Sequence, residues 1–261
     1  MKKRRDIFLL AFSLSGFIVF YIAPFVRSLG YAFMENAFTR EFAGLTNFKA
    51  LAQNEYFLLA LKNTLVFTGV SVPLVMIFSL TVSILTVRFA ANTPLIKGVF
   101  FLPVLLPSAT IVAVFSGRFD SLPPFWVLMM IFLWKYSGLD IMLMMTALGS
   151  LDKSILDAAK IDGAGALRRI FKVMIPNILP VLFFTLILSV VNSLKIYRES
   201  YLLYGEYPDR SVYMLQNYLN NHFEKLNYQN ISTAAIIFAV AIYAVMGILL
   251  HGERKRSEEI W

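Results

Sequence analysis

Lys135 and Asp140 invite chemistry first, because they lie well inside a stretch from about Pro124 to Leu148 that is otherwise apolar. A charge at that depth of a hydrocarbon-length segment is costly, and where it persists it faces a partner or a water-filled cavity. The two are five positions apart, so they do not stack on one helix face as an i, i+4 pair does. Either they line a polar path or touch another helix, or Lys135 snorkels or the helix is broken at Ser137-Gly138. A second constellation runs from Asn192 through Tyr197 to Tyr201. Flat aromatic faces with a few placed polar groups can stack on and hydrogen-bond a sugar, and the same residues also suit an interfacial aromatic belt. Arg198, Glu199, Glu206, Asp209 and Arg210 follow it with charges that an external protein could meet.

Other chemistries are poorly served. The chain has no cysteine, so thiolate metal sites, disulfides and cysteine nucleophiles are excluded. Its two histidines, His222 and His251, fall on opposite sides of the membrane in the topology below and cannot share a metal. No G-x-x-x-x-G-K-[ST] loop is present to cradle a nucleotide phosphate. An intramembrane hydrolase would need a Ser/His, paired-Asp or His-rich constellation within the bilayer, and the apolar stretches offer none.

The elements that must position these residues are set by composition. Of the 261 residues 58% are hydrophobic and only 15% charged, against roughly 25% charged in soluble domains, which points to lipid as the solvent. Stretches of about 20 apolar residues between charges predict helical spans at Ile7 to Val26, Asn63 to Val87, Gly98 to Gly117, Pro124 to Leu148, Val173 to Leu194 and, from about Ile231, to Gly252. The first is too long, and lacks the small-residue cleavage site, for a signal peptide. With the N-terminus inside, fourteen Lys and Arg fall on the cytoplasmic side and eight, including Arg40, outside, so the net charge of +8 is mostly a topology signal rather than a nucleic-acid surface. Six spans place both ends in the cytoplasm. Outer loops near residues 28–61 and 195–230 have room for short amphipathic helices, with Met214, Leu215, Tyr218, Leu219 and His222 at helical spacing.

The most informative segment is the inside connection from Ser150 to Pro176. Asp152 or Ser154 can cap a helix that runs through Ala159 to a Gly163-Ala164-Gly165-Ala166 patch. Small side chains edged by Asp157, Asp162, Arg168 and Arg169 suit a short helix that docks in a groove on a partner, while composition alone favours an ordinary loop helix.

The order Asp157-Ala158-Ala159-x-x-Asp162-Gly163-Ala164, followed by Val173-x-Ile175-Pro176, resembles the E-A-A loop of bacterial ABC-transporter permeases. The Asp-Gly-Ala continuation and Phe171 resemble the carbohydrate-import branch, similar to the maltose and glycerol-phosphate permeases, as do Asn63-Thr64, Phe100-x-x-Pro103 and Trp134. The first Glu of the motif is Asp157 here, which keeps the charge and shortens its reach. The connection between the third and fourth spans is shorter than in similar sugar permeases, and no substrate contact is carried over from it.

This resemblance implies an all-α membrane protein of the type I ABC importer permease fold, with six transmembrane helices and cytoplasmic termini. It divides the chain into a basic N-terminus, first helix and outer loop (1–58), a permease core (59–252) with a coupling loop (149–173), and a tail (253–261). It implies ATPase-coupling residues Asp157, Ala158, Ala159, Asp162, Gly163 and Ala164, and leaves Asn192, Tyr197, Trp134, Lys135 and Asp140 as candidates for the substrate path. The implied partners are a second homologous permease, an ATP-binding cassette ATPase dimer, an extracytoplasmic solute-binding protein and membrane lipid, in a bacterial inner membrane, with no catalytic residue, metal or cofactor. The rival is a self-contained ion-coupled secondary transporter, which would need paired intramembrane acids or repeated halves.

Overall fold

The computed structural model describes residues 2–35, 41–89 and 94–258, and Arg40 and the side chain of His251 lie outside the described residues. Among the described residues the chain is helical, with one isolated bridge, Met34 to Phe42, in place of a strand. In order come α1 (Lys2–Phe17), α2 (Ala23–Tyr31), α3 (Thr46–Ala52), α4 (Glu55–Phe89), α5 (Pro94–Leu105), α6 (Ser108–Phe115), α7 (Pro124–Gly149), α8 (Lys153–Ile161), α9 (Ala166–Arg169), α10 (Ile175–Asn177), α11 (Leu179–Lys195), α12 (Tyr197–Tyr204), α13 (Leu215–Glu224) and α14 (Tyr228–Glu258).

Among the described residues, four helical stretches are long and apolar enough to cross a bilayer: Leu10–Tyr31, Glu55–Phe89, Pro124–Gly149 and Leu179–Tyr204. Each overlaps an expected span. The expected third span differs, because Gly98–Leu105 and Ser108–Phe115 meet at a bend of 98°. The cause is local. Pro107 adopts φ −59° and ψ 144°, outside the helical region, and has no N–H to continue the ladder of α5. Burial then makes the bend affordable, since α5 and α6 both pack on α7. The last expected span falls on α14, whose apolar part is described from Tyr228 to Ala244.

Proline also shapes two π-helical turns. In Ile18–Ile22 the Ala23 N–H donates to the Ile18 carbonyl, and in Ile170–Met174 the Ile175 N–H donates to Ile170. Each wide turn ends two residues before a proline, Pro24 or Pro176. A proline ring crowds the carbonyl four residues back, and an added residue in the turn relieves that clash without ending the helix. The fifth span, expected from Val173, is interrupted at Ile178 (φ −103°, ψ 9°), so that its long regular helix starts at Leu179.

By its internal packing the chain divides into two units. One comprises 1–60 and 217–245, the other 61–216 and 246–261. In the first, Asn47 Nδ2 donates to the carbonyls of Ala32 (2.9 Å) and Met34 (2.8 Å), which closes the loop after α2 onto α3. Tyr31 meets Tyr228, and Phe57 meets Tyr218 edge to face, with ring centroids 5.9 and 5.6 Å apart.

In the second unit α7 is central, packing on α5, α6, α11 and α12. Ile131, Phe132, Ile141, Met144 and Met145 on it are fully buried. Membrane helices approach closely where side chains are small and back-bond across the interface. Here Ser79 and Ser83 of α4 donate to the backbone carbonyls of Ser137 (3.4 Å) and Ile141 (3.1 Å) in α7. Gly138 permits the tightest crossing, since a Cβ there would overlap the Phe100 carbonyl of α5.

Candidate functional site

The connection between α7 and α11 has a structure that its residues dictate. Asp152 caps α8, its carboxylate accepting from the Ser154 N–H at 2.9 Å. That bond holds the Asp152 carboxyl below the usual carboxylate range. At the other end the Gly163 N–H donates to Lys160 O (3.0 Å) and the Ala164 N–H to Ala159 O (2.9 Å), a Schellman stop. Gly163 has φ +75°, a left-handed conformation that glycine adopts without a Cβ penalty. Gly165 then opens α9 as its N-cap.

The helix between these stops has two faces. Ile155, Ala158 and Asp162 lie on one side and are exposed, and Ile161, just beyond, is 86% exposed. Lys153, Leu156 and Lys160 lie on the opposite side and wall a cavity. Asp157 pairs with Lys160 at 2.6 Å across one turn, and that hydrogen bond and charge hold its carboxyl below the ordinary carboxylate pKa. All six expected coupling residues therefore sit on or immediately after one short helix. Ala159 and Ala164 are half-buried and the other four exposed.

The charges of α7 have different surroundings from those weighed in the sequence. α7 is continuous through Ser137 and Gly138, so the expected break is absent. Lys135 does not snorkel. Its Nζ sits 2.6 Å from Glu199 Oε1 of α12 and 3.2 Å from Ser108 Oγ, at the start of α6 after the Pro107 bend. The Ser108 hydroxyl donates to the same Glu199 oxygen at 2.6 Å. Glu199 is fully buried, which removes it from the outer charges that an external partner could meet. Asp140, 1% exposed, accepts from Ser189 Oγ of α11 at 2.7 Å.

Of the remaining path candidates, Asn192 is buried and accepts from Lys195 Nζ at 3.1 Å. Tyr197 is half-buried beside Tyr201, with rings 5.8 Å apart. Trp134, 41% exposed, stands beside Phe115 with ring centroids 6.0 Å apart. None of the five lines the cavity walled by α8 or a separate one, of about 330 Å³, at the end of α6. The latter is lined by Phe115, Phe119, Asp120 and Tyr204 among others.

Two functional pairings escaped the sequence reading. Glu199 was the counterion that a buried Lys135 required, masked because Lys195 ended the apolar run before it. Asn63 Nδ2 donates to the carbonyls of Arg210 (2.6 Å) and Tyr213 (2.9 Å), and Thr64 Oγ1 accepts from the Leu215 N–H (2.9 Å). These two residues pin an outer loop to α4.

Residues 63–252 match the family described as binding-protein-dependent transport system inner membrane component. The lactose transport system permease protein LacF of Rhizobium radiobacter is 26% identical over 274 aligned residues, covering 91% of this chain and 90% of that protein. Among solved structures, a chain of a bacterial ABC transporter involved in the import of the acidic polysaccharide alginate superposes with a TM-score of 0.76 at 20% identity, over 97% of this chain and 96% of that one. A structure of the bacterial alginate ABC transporter in complex with an alginate pentasaccharide-bound periplasmic protein gives a TM-score of 0.74 at 22% identity over the same shares. At these identities the likeness is one of fold.

Proposed function

The chain belongs to the family of binding-protein-dependent transport system inner membrane components, and we propose that it is the permease half whose α8 receives the stroke of a separate ATPase. As a member of that family it is a multi-pass permease of an ATP-driven importer in the bacterial inner membrane. The observation that carries the coupling assignment is α8 itself. It is a short helix with a defined cap and stop, and its outward face presents Ile155, Ala158 and Ile161 to solvent. An exposed apolar stripe on a rigid helix is what a groove on a partner protein takes.

The mechanism follows from how α8 is attached. It joins α7 through Ser150 and Leu151, and α7 runs unbroken to Lys135, about 20 Å away at 1.5 Å per residue. A displacement of docked α8 reaches the Lys135–Glu199–Ser108 contact through one helix, and so reaches α6 and α12. Closure of the ATPases then biases the pair of permeases between two packed states, the form that a switch takes in a close-packed protein. ATP is hydrolysed by the partner chain, and this chain performs no bond chemistry. Six crossings with cytoplasmic ends, a homologous second permease and an extracytoplasmic binding protein complete the reading.

A carbohydrate or related polar solute is the proposed cargo. The lactose and alginate systems among the similar proteins support it, as do the aromatic and acidic groups of the outer cavity, Phe115, Phe119, Asp120 and Tyr204. An ion-coupled transporter is less well supported, because Glu199, the second intramembrane acid, is bound to Lys135.

Reconstitution with and without the candidate ATPase tests the reading, with solute uptake as the readout. Uptake by this chain alone under an ion gradient would sink it. Gly163→Asp, with an intact membrane fraction, is expected to lose co-purification of the ATPase. Full co-purification would reject α8 as the coupling element.

A further inference from the structure

The inward face of α8 carries a second site. A cavity of about 480 Å³ lies between the ends of α4 and α7, the back of α8 and the segment that begins at α9. That size falls within the range of ordinary ligand pockets, roughly 300 to 1,000 Å³. Four cations line it, Arg88, Lys153, Lys160 and Arg169, and no acidic residue does. Lys160 is paired with Asp157, whose charge also feels Lys153 and Arg169. Among the described residues Arg88, Lys153 and Arg169 have no ion pair of their own, the Arg88 guanidinium resting instead 4.9 Å from the centroid of the Phe89 ring. The cavity therefore holds an excess of positive charge.

Its apolar lining includes Ile84 and Val87 of α4 and Leu148 of α7. Just outside it, Leu85 and Phe89 are 49% and 73% exposed on α4. Basic groups and apolar side chains in one cavity, at the ends of two spans, match the two halves of a phospholipid. The phosphate meets the cations and the chains run along the exposed flank of α4. Basic pockets between transmembrane helices on the cytoplasmic side have this chemistry.

We infer that this cavity binds the headgroup of an anionic phospholipid of the cytoplasmic leaflet, resting on the cytoplasmic placement of α8 proposed above. Lys153 and Lys160 belong to α8, and Arg88 to α4. A phosphate held by both would brace α8 against the end of the span from behind, leaving its outward face free for the partner. A general surplus of basic residues at span ends would attract anionic lipid diffusely, without a preference for these positions.

The test uses the full chain, reconstituted in phosphatidylcholine nanodiscs containing phosphatidylglycerol, with lipid retained after mild extraction measured by native mass spectrometry. Wild type is expected to retain phosphatidylglycerol over phosphatidylcholine by about tenfold or more. Loss of one cation at an anionic surface corresponds to about a fivefold drop in affinity, so the two losses in K153Q/R169Q, about 25-fold together, should abolish the tenfold preference. R168Q/K172Q removes the same charge from the same loop outside the cavity and should retain the lipid, as should the conservative K153R/R169K. Equal retention by wild type and K153Q/R169Q, or equal loss in both neutral pairs, would overturn the site. Displacement of the lipid by millimolar inorganic phosphate would make the ligand a free anion and overturn it too. If K153Q/R169Q keeps its lipid but loses the ATPase, the cavity serves the partner protein, which also rejects the proposal. Failure of the coupling reading is scored separately, by ATPase co-purification with wild type and G163D.

Discussion

The buried Lys135–Glu199 pair gives the sharpest test of how this subunit is held together. Replacing Lys135 with Met leaves the Glu199 carboxylate fully buried, with the Ser108 hydroxyl as its remaining donor. At 2.6 Å the attraction between the two charges is about 6 kcal/mol at an effective dielectric constant near 20. Desolvation of each ion costs several kcal/mol, so the intact pair is near balance against apolar packing. Removing one partner is different, because the uncompensated charge then bears its full desolvation, about 3–5 kcal/mol. Lys135→Met and Glu199→Leu are each expected to lose that amount, and Lys135→Met/Glu199→Leu to recover most of it. Unfolding of the purified subunit in mixed detergent micelles, followed by helical circular dichroism, measures the three differences. With a residual loss of about 1 kcal/mol in the double variant, the cycle should give a coupling energy of about 5–9 kcal/mol. A loss under about 1 kcal/mol in Lys135→Met would refute the reasoning, since it is the value for a lysine whose head reaches water. A double variant no more stable than either single one would refute it as well.

Gly138→Ala should part α5 from α7, because the new Cβ would overlap the Phe100 carbonyl and stand 2.8 Å from its carbon. Backbone cannot rotate aside as a side chain can, so a loss of about 1–3 kcal/mol is expected in the same unfolding assay. Gly69→Ala, which meets nothing within 4 Å, is the neutral control. At Asp152 the folded-state pKa is depressed by the Ser154 bond, so its contribution is present above the unfolded value of about 4 and is lost as pH falls through the lower folded value. Amide exchange over residues 153–155 should be flat from pH 7 to 5, after correction for intrinsic rates, and should accelerate only below about pH 4. Asp152→Ala should exchange fast throughout, while Asp152→Asn, also a good cap, should lose the pH dependence and keep the protection.

The cap and stop of α8 were legible in the sequence because their determinants are local. A carboxylate two residues before an N–H, and a glycine placed where the chain must turn left-handed, act within a few positions of themselves. The spans were legible for a similar reason, since hydropathy is a property of a short window. The bend at Pro107 was not legible, because the apolar run from Gly98 to Gly117 has the same hydropathy whether straight or folded. What decides it is packing on α7, through Gly138 and Ser108, at long sequence distance. Glu199 was hidden in the same way: the need for a counterion was visible at Lys135, its supplier 64 positions away was not.

Those long-range contacts bear on which residues face the transported solute. Lys135 and Asp140 are nearly closed to solvent and bound to Glu199, Ser108 and Ser189 of their own subunit. Charges so engaged fix the relative positions of α6, α7, α11 and α12, and a path that opened onto them would strip their partners at each cycle. Trp134 and Tyr197 keep part of their surface exposed, on the same two helices that carry the ion pair. We propose that a rigid α7, joined to its neighbours by buried polar contacts, turns as one body when α8 is moved and carries Trp134 without breaking the bonds that hold Lys135. On that proposal the polar residues in the membrane serve as the linkage, while the aromatic surfaces beside them meet the solute.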